Sequence, residues 1–256
     1  MPSRRIAALA LIVVAAALAA GLLGVAVGRR YEASGLCCQV PTYRRSVLSF
    51  KETLGLAAFF SQVGQDKWVS ETVFPGVKDG FFVDVGSGDG TVHSNTLLLE
   101  RKGWRGICVD PFPSNMEGRT CQLFEEVVFS EPGRTVKFHV AQELGGIDST
   151  LDAHRERAEL APAVELITVT LGDILARANA PPFVHFMSLD IEGAELEALH
   201  GVPFDRYRFG AFAIEHNYEG DKRKAIQKLL ERHGYRLVHT WKQDDFYVPA
   251  GAPYPR

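Results

Sequence analysis

Asp84-Val85-Gly86-Ser87-Gly88-Asp89-Gly90 follows a short apolar run, Phe81-Phe82-Val83, and precedes a segment with helical spacing. Glycines at such a strand-to-helix turn permit tight turning and let a ligand approach the backbone closely. The order D-x-G-x-G-x-G departs from the dinucleotide fingerprint G-x-G-x-x-G, whose third glycine would fall at Thr91. Asp84 and Asp89 would also repel a pyrophosphate. A ligand with positive centres suits the loop better, and S-adenosylmethionine carries both an ammonium and a sulfonium. Asp110 ends the next strand pattern, 24 residues after Gly86, where a carboxylate can accept hydrogen bonds from ribose hydroxyls.

A second set of polar residues falls where two later strand patterns end: Asp190 with Glu192, and Glu215-His216-Asn217. Ligands of open α/β sheets gather at the carboxyl ends of the strands. Methyl transfer from a sulfonium is an in-line displacement, so the protein must position an oxygen nucleophile and help it lose its proton. Two arrangements compete. His216 or Asp190 acts as a metal-free general base, or Asp190, Glu215 and Asn217 hold Mg2+, an ion that prefers hard oxygen donors. The metal-free version is slightly favoured, since spacing alone does not make oxygens converge.

These residues need a framework, and the pattern supplies one. Strand-like runs at 81–85, 106–110, 126–130, 182–189, 209–214, 235–240 and 246–248 alternate with helical spacing at 94–101, 192–199 and 222–232. Such alternation predicts an α/β domain with a largely parallel sheet and helices on both faces. Residues 135–170 break the rhythm, with a strand-like Val136–Val140 and then a polar stretch. Within it Gly145–Thr150 reads as a flexible loop, a candidate lid over the acceptor. Lys222-Arg223-Lys224 reads as a solvated helix face, Glu195 and Glu197 as acidic residues at a helix start, and His185 as a core residue. His93, directly after the glycine loop, borders the ligand.

Ser61-Gln62-Val63-Gly64-Gln65-Asp66, Phe82–Gly90, Ser94-Asn95-Thr96, Gly103-Trp104-Arg105-Gly106 and Ser188-Leu189-Asp190-Ile191-Glu192-Gly193-Ala194-Glu195 together resemble the FkbM-type methyltransferases over roughly residues 60–249. The glycine loop marks only the wider methyltransferase class; the D-x-E-G-A-E block and Ser-Asn-Thr are more specific. The resemblance implies a class I, Rossmann-like fold of seven strands with a reversed terminal strand. It also implies methyl transfer from S-adenosylmethionine, mainly to hydroxyl oxygens of sugars or secondary metabolites. By the same likeness Gly86, Ser87 and Gly88 lie against the methionine portion of the cofactor, Asp110 against its ribose and Ser130 near its adenine. Gln62, Gln65 and Asp66 either close over the cofactor or simply start a helix capped by Ser61. The acids at the strand ends are similar, by position only, to those of catechol-type O-methyltransferases.

The 256 residues carry 28 Lys and Arg against 31 Asp and Glu, which excludes a general nucleic-acid binder. The first 51 residues nevertheless hold seven Lys/Arg and one Glu. Ile6–Val27 has no charged or polar side chain, and as a helix spans about 33 Å, enough for a bilayer core. An uncleaved single-pass anchor over residues 1–30 is expected, then a linker and lead-in helix over 31–59, the methyltransferase-like domain over 60–250 and a tail over 251–256. Arg29, Arg30, Arg44 and Arg45 outnumber Arg4 and Arg5, which predicts a cytoplasmic domain. Four cysteines form no disulfide framework: Cys37 and Cys38 read as unmodified thiols, Cys108 as a small buried hydrophobe, and a reduced compartment is the simplest expectation. The acceptor is expected to be a glycan, a lipid-linked molecule or another small hydroxylated metabolite. A non-catalytic membrane protein that keeps the fold for binding or trafficking is the alternative; a nicotinamide oxidoreductase is disfavoured by the loop spacing.

Overall fold

The computed structural model describes residues 59–254; the expected anchor, the linker and Cys37 and Cys38 lie outside them. No helix among the described residues is long and apolar enough to cross a membrane.

Parallel strands rich in Val, Ile and Phe, buried on both faces, make the centre of the domain. These are β1 (Phe81–Val85), β2 (Arg105–Val109), β8 (Phe183–Leu189) and β9 (Arg208–Glu215). With β3 (Gln122–Phe124), β10 (Tyr235–Trp241) and β11 (Asp244–Pro249) they form a seven-stranded sheet, ordered β10-β11-β9-β8-β1-β2-β3. Only β11 runs against its neighbours. The mostly parallel seven-stranded expectation therefore holds, and the topology is consistent with a methyltransferase fold.

Strand alternation sends Val83, Val85, Ile107, Val109 and Leu189 to one face, against α4 (Leu171–Arg177), α5 (Glu195–His200) and α6 (Gly220–Arg232). Phe82, Cys108 and Phe186 point to the other face, against Leu99 of α2 (Leu97–Arg101) and Trp68 and Val69. The latter two follow the turn α1 (Gln65–Lys67) in a π-helical segment, Trp68–Val73. Each fully buried Leu, Ile or Phe contributes about 1.5–3 kcal/mol over its exposed state. Thr170 fixes the start of α4 with a reciprocal capping box: its hydroxyl accepts from Asp173 N and the Asp173 carboxylate accepts from Thr170 N.

Three sequence expectations need correction. The run 126–130 is not the third strand of the main sheet; Gln122–Phe124 takes that edge. Val127–Val128 (β4) joins a separate four-stranded sheet with β5 (Thr135–His139), β6 (Gly146–Ile147) and β7 (Ala163–Val169), with the short α3 (Arg155–Ala158) between β6 and β7 in the chain. Second, Gly145–Thr150 is not a flexible loop: β6 lies within it and pairs with Phe138 and His139, and Asp148 accepts from Lys137 and lies 2.7 Å from His139 Nε2. Third, Cys108 is buried but not free, being disulfide-bonded to Cys121.

Candidate active site

The carboxyl ends of β1, β2, β8 and β9 open into a crevice of about 370 Å³, within the size range of small-molecule sites. Gly86 closes the end of β1, its N–H donating to Val109 O. Its φ is +82°, and a Cβ there would stand 1.6 Å from Asp190 O. Glycine is thus demanded by the approach of the β8 end, not by a ligand. Gly88 differs. Its φ is +46°, a Cβ would meet nothing closer than 4.0 Å, and its N–H donates to Asp110 Oδ2 at 2.9 Å. The other Asp110 oxygen accepts from Phe112 N at 2.8 Å, so this carboxylate links the two strand-end loops. Burial pushes Asp110 above the usual carboxylate range, and the two backbone bonds oppose the shift.

Asp84 lies beneath the loop, 2 % exposed, accepting from Thr96 Oγ1 at 2.5 Å. Burial raises its pKa; Arg119 and the Thr96 bond oppose that. Two other polar atoms on the crevice wall, Ser87 Oγ and Asn95 Oδ1, are buried with no hydrogen-bond partner among the described residues. Such groups are costly unless something completes them. Pro111, Val127, Val128 and Phe138 give the crevice apolar lining, with Glu126 beside them. Ser130 does not line it.

Opposite stands an acidic cluster. One carboxylate oxygen from each of Asp190, Glu192 and Glu215 lies within 4.8 Å of the others. Asn217 Nδ2 donates to Glu215 at 2.7 Å and Glu192 at 3.3 Å. Burial, then repulsion from neighbouring acids, lifts Glu192 to about 9 and drives Glu215 far above the carboxylate range. Asp190, also raised chiefly by burial, reaches only about 6, because a hydrogen bond with Glu215 favours its ionised form. Asp190 is thus the member that gives up its proton first. Burial and Asp190 push Asp244 to about 7, while its hydrogen bond from Gln65 Nε2 pulls the other way. Such a cluster fits either a shared set of protons or a cation held by Asp190, Glu192 and Glu215.

Strain is concentrated here. Of eight non-glycine residues with positive φ in the described chain, His93, Gln142, Glu192, Asn217 and Tyr218 line the crevice. Sparsely populated backbone of this kind clusters at working sites.

Not every expected residue converges. His216 is turned away between Glu215 and Asn217; its Nδ1 accepts from Tyr218 N, and its Nε2 lies 3.7 Å from Asp245. Gln62 and Gln65 line the crevice, whereas Asp66 is structural, accepting from Phe60 N and Ser61 Oγ. Lys222 is no solvated charge: its Nζ bonds Asp152 and lies 2.8 Å from Glu195 Oε2. Glu195 in turn accepts from Ile191 N and Gly193 N, fixing the turn that presents Asp190 and Glu192.

Residues 84–237, more than half the chain, match the methyltransferase FkbM domain. The chain belongs to the FkbM methyltransferase family. Family membership implies an S-adenosylmethionine-dependent methyltransferase, in keeping with the crevice at the strand ends. The matched region opens on Asp84 and takes in the glycine loop, Asp110, the D-x-E-G-A-E block and Glu215 of this FkbM domain. No curated protein matches the chain.

Proposed function

We propose that the chain methylates a hydroxyl oxygen of an uncharged, polyhydroxylated acceptor such as a saccharide, using S-adenosylmethionine as donor. The observation that carries this reading is the crevice's polarity: a glycine loop and Asp110 at one end, three carboxyls at the other. Among the described residues, eight acids and no Lys or Arg line it. A cationic donor is favoured by such a lining; an acceptor with phosphate or carboxylate beside the reacting oxygen is not.

The residues present fit the cofactor. Gly88 leaves room for it, Asp110 suits its ribose hydroxyls, and Val127, Val128 and Phe138 suit the adenine. Ser87 Oγ and Asn95 Oδ1 are wall atoms that polar groups of the methionine portion can complete. Bound there, S-adenosylmethionine supplies an electrophilic methyl group. Asp190 takes the acceptor's hydroxyl proton, and the neutral Glu215 carboxyl, bonded to Asn217, holds Asp190 in place. His216 has no part in this step. Because Asp190 works only when ionised, transfer should rise with pH through about 6 and level off above. A rate flat from pH 5 to 8, measured by label from methyl-labelled donor into a glycan extract, would refute that role.

Asp110→Ala should weaken donor binding by roughly 10–100-fold, the range for hydrogen bonds to a charged group. Isothermal titration of S-adenosylmethionine into the full chain reads this directly, and unchanged affinity would remove Asp110 from the site. A second reading rests on the convergence of the carboxylates: Mg2+ held by Asp190, Glu215 and Asn217 would lower the acceptor's pKa. Asn217 now turns its amide nitrogen toward the carboxyls, which favours the metal-free arrangement. Chelator-sensitive transfer together with a higher melting temperature in Mg2+ would reverse that preference.

The apolar N-terminal segment is proposed to anchor the enzyme in a membrane, with the domain on the cytoplasmic side set by the flanking arginines. The anchor would hold the crevice near membrane-associated acceptors, including lipid-linked ones. Extraction of the full chain only by detergent, and protease sensitivity of the domain from the cytoplasmic face alone, test both parts. The alternative, a non-catalytic binding or trafficking role, is disfavoured by the intact glycine loop and Asp110, and would be supported by absent S-adenosylmethionine binding.

A further inference from the structure

The loop between β2 and β3, residues 110–121, does more than connect two strands. Ser114 exchanges backbone hydrogen bonds with the glycine loop, its N–H donating to Gly88 O and its carbonyl accepting from Gly90 N, both at 2.9 Å. Asn115 Nδ2 donates to Asp89. Near the far end of the loop Arg119 turns inward, its side chain 2 % exposed. Its guanidinium is shared among five acceptors on four segments. Nε donates to Glu100 at 2.7 Å; Nη1 to Gly90 O at 2.9 Å and Ser94 Oγ at 3.2 Å; Nη2 to Thr96 Oγ1 at 2.8 Å and Cys108 Sγ at 3.3 Å. Thr96 passes the contact on to Asp84.

Arg119 therefore holds the back of the glycine loop without lining the crevice, and it is the cation that opposes the effect of burial on Asp84. The disulfide sits at the base of this loop. Cys108 lies two residues before Asp110, and Cys121 two residues after Arg119. Glu100 completes the knot by accepting from Thr120 N and Cys121 N as well.

We propose that Arg119 is a positioning residue for the cofactor loop and that the Cys108–Cys121 disulfide sets it, so that donor affinity depends on the redox state of this pair. The inference rests on the reading of the crevice as the S-adenosylmethionine site. Cys121 is half-buried and Cys108 fully buried, so a thiolate of an external dithiol attacks the Cys121 sulfur and Cys108 departs as thiolate. The second thiol of the reductant then attacks the mixed disulfide and frees Cys121. In total the S–S bond accepts two electrons and one proton, which Cys121 takes, while Cys108 stays a thiolate beside the guanidinium; the dithiol becomes a cyclic disulfide and gives its other proton to solvent. The departing Cys108 sulfur already touches the guanidinium. A thiolate there draws Arg119 from Thr96 and Gly90, and the loop loses its tie to β2. On the cytoplasmic side of a membrane, where disulfides are usually transient and redox-sensing, such a pair would act as a switch.

The test is titration of S-adenosylmethionine into the full chain, oxidised and after dithiothreitol, with labelled-methyl transfer to a glycan extract at varied donor. Reduction should weaken donor binding about tenfold or more, the least expected from losing charge-assisted hydrogen bonds. KM for the donor should rise while the rate at saturating donor stays unchanged, because Asp190 and Glu215 are untouched. A purely structural role would lower both. The double variant Cys108→Ser, Cys121→Ser should ignore dithiothreitol and bind more weakly than the oxidised chain, though less weakly than the reduced one, since the bridge is gone but no thiolate draws Arg119. Arg119→Gln should bind weakly in the oxidised state, with Arg119→Lys recovering part of the loss. Equal affinity in the oxidised and reduced chains, and in the double-serine variant, overturns the inference alone. Absence of binding in every state overturns the cofactor reading and the inference with it.

Discussion

Asp190→Asn should abolish most methyl transfer, by roughly 10²–10⁴-fold, the usual contribution of a positioned general base, while leaving S-adenosylmethionine binding close to that of the parent. The asparagine keeps the shape and cannot take a proton. The cofactor contacts proposed for Gly88 and Asp110 lie just after β1 and β2, where the two residues are bonded to each other and not to this side chain. The same substitution should make the protein more stable at neutral pH. Burial raises Asp190 from 3.8 to about 6, so the native state binds more protons than the unfolded chain between those values. Stability therefore falls as pH rises through this window, and above it the buried charge costs roughly 3 kcal/mol at about 1.4 kcal/mol per pH unit. Asparagine carries no such charge and also relieves Glu192 and Glu215, both of which Asp190 repels. Donor titration, label transfer and melting temperature together give a sharp signature: binding kept, transfer lost, melting temperature raised. A variant that transfers methyl normally would exclude Asp190 as the base.

The crevice residues whose position at a strand end is legible in the sequence are those where an apolar run stops abruptly at acids or glycines. Val83-Asp84-Val85-Gly86, Val109-Asp110 and Leu189-Asp190 each mark the end of a buried parallel strand, and a parallel sheet gathers such ends on one side. What failed was direction. Glu215 and Asn217 face the crevice and His216 does not, because successive side chains leave a strand on opposite sides and this alternation continues past the strand's end at Glu215. Three consecutive basic residues on a helix cannot share a face, and Lys222 and Arg223 are drawn into ion pairs while Lys224 stays exposed. Gln122–Phe124 is too short to announce a strand; it is recruited by pairing with β2. Nothing in the spacing of Cys108 and Cys121 indicated a bridge, because that contact depends on how the intervening loop folds back over α2.

Lys222→Met should cost about 3–5 kcal/mol of stability, the range for breaking a buried ion pair by removing one partner. In a domain of this size that is a fall in melting temperature of roughly 6–20 °C. The Lys222 side chain is 14 % exposed, and its partner Glu195 is fully buried. Without the ammonium, the buried Glu195 carboxyl loses its ion-pair partner while its bonds from Ile191 N and Gly193 N keep it beside Asp190, Glu192 and Glu215. Glu195→Gln in the same background should recover most of the loss. The neutral amide oxygen can still accept from the turn, and one source of repulsion in the acidic cluster disappears. A double-mutant cycle measures this coupling as the difference between the double substitution and the sum of the two single ones. If the two effects simply add, Lys222 does not act on the acidic cluster through Glu195, and the Asp190–Gly193 turn is held by the Glu195 bonds from Ile191 N and Gly193 N without help from the ammonium.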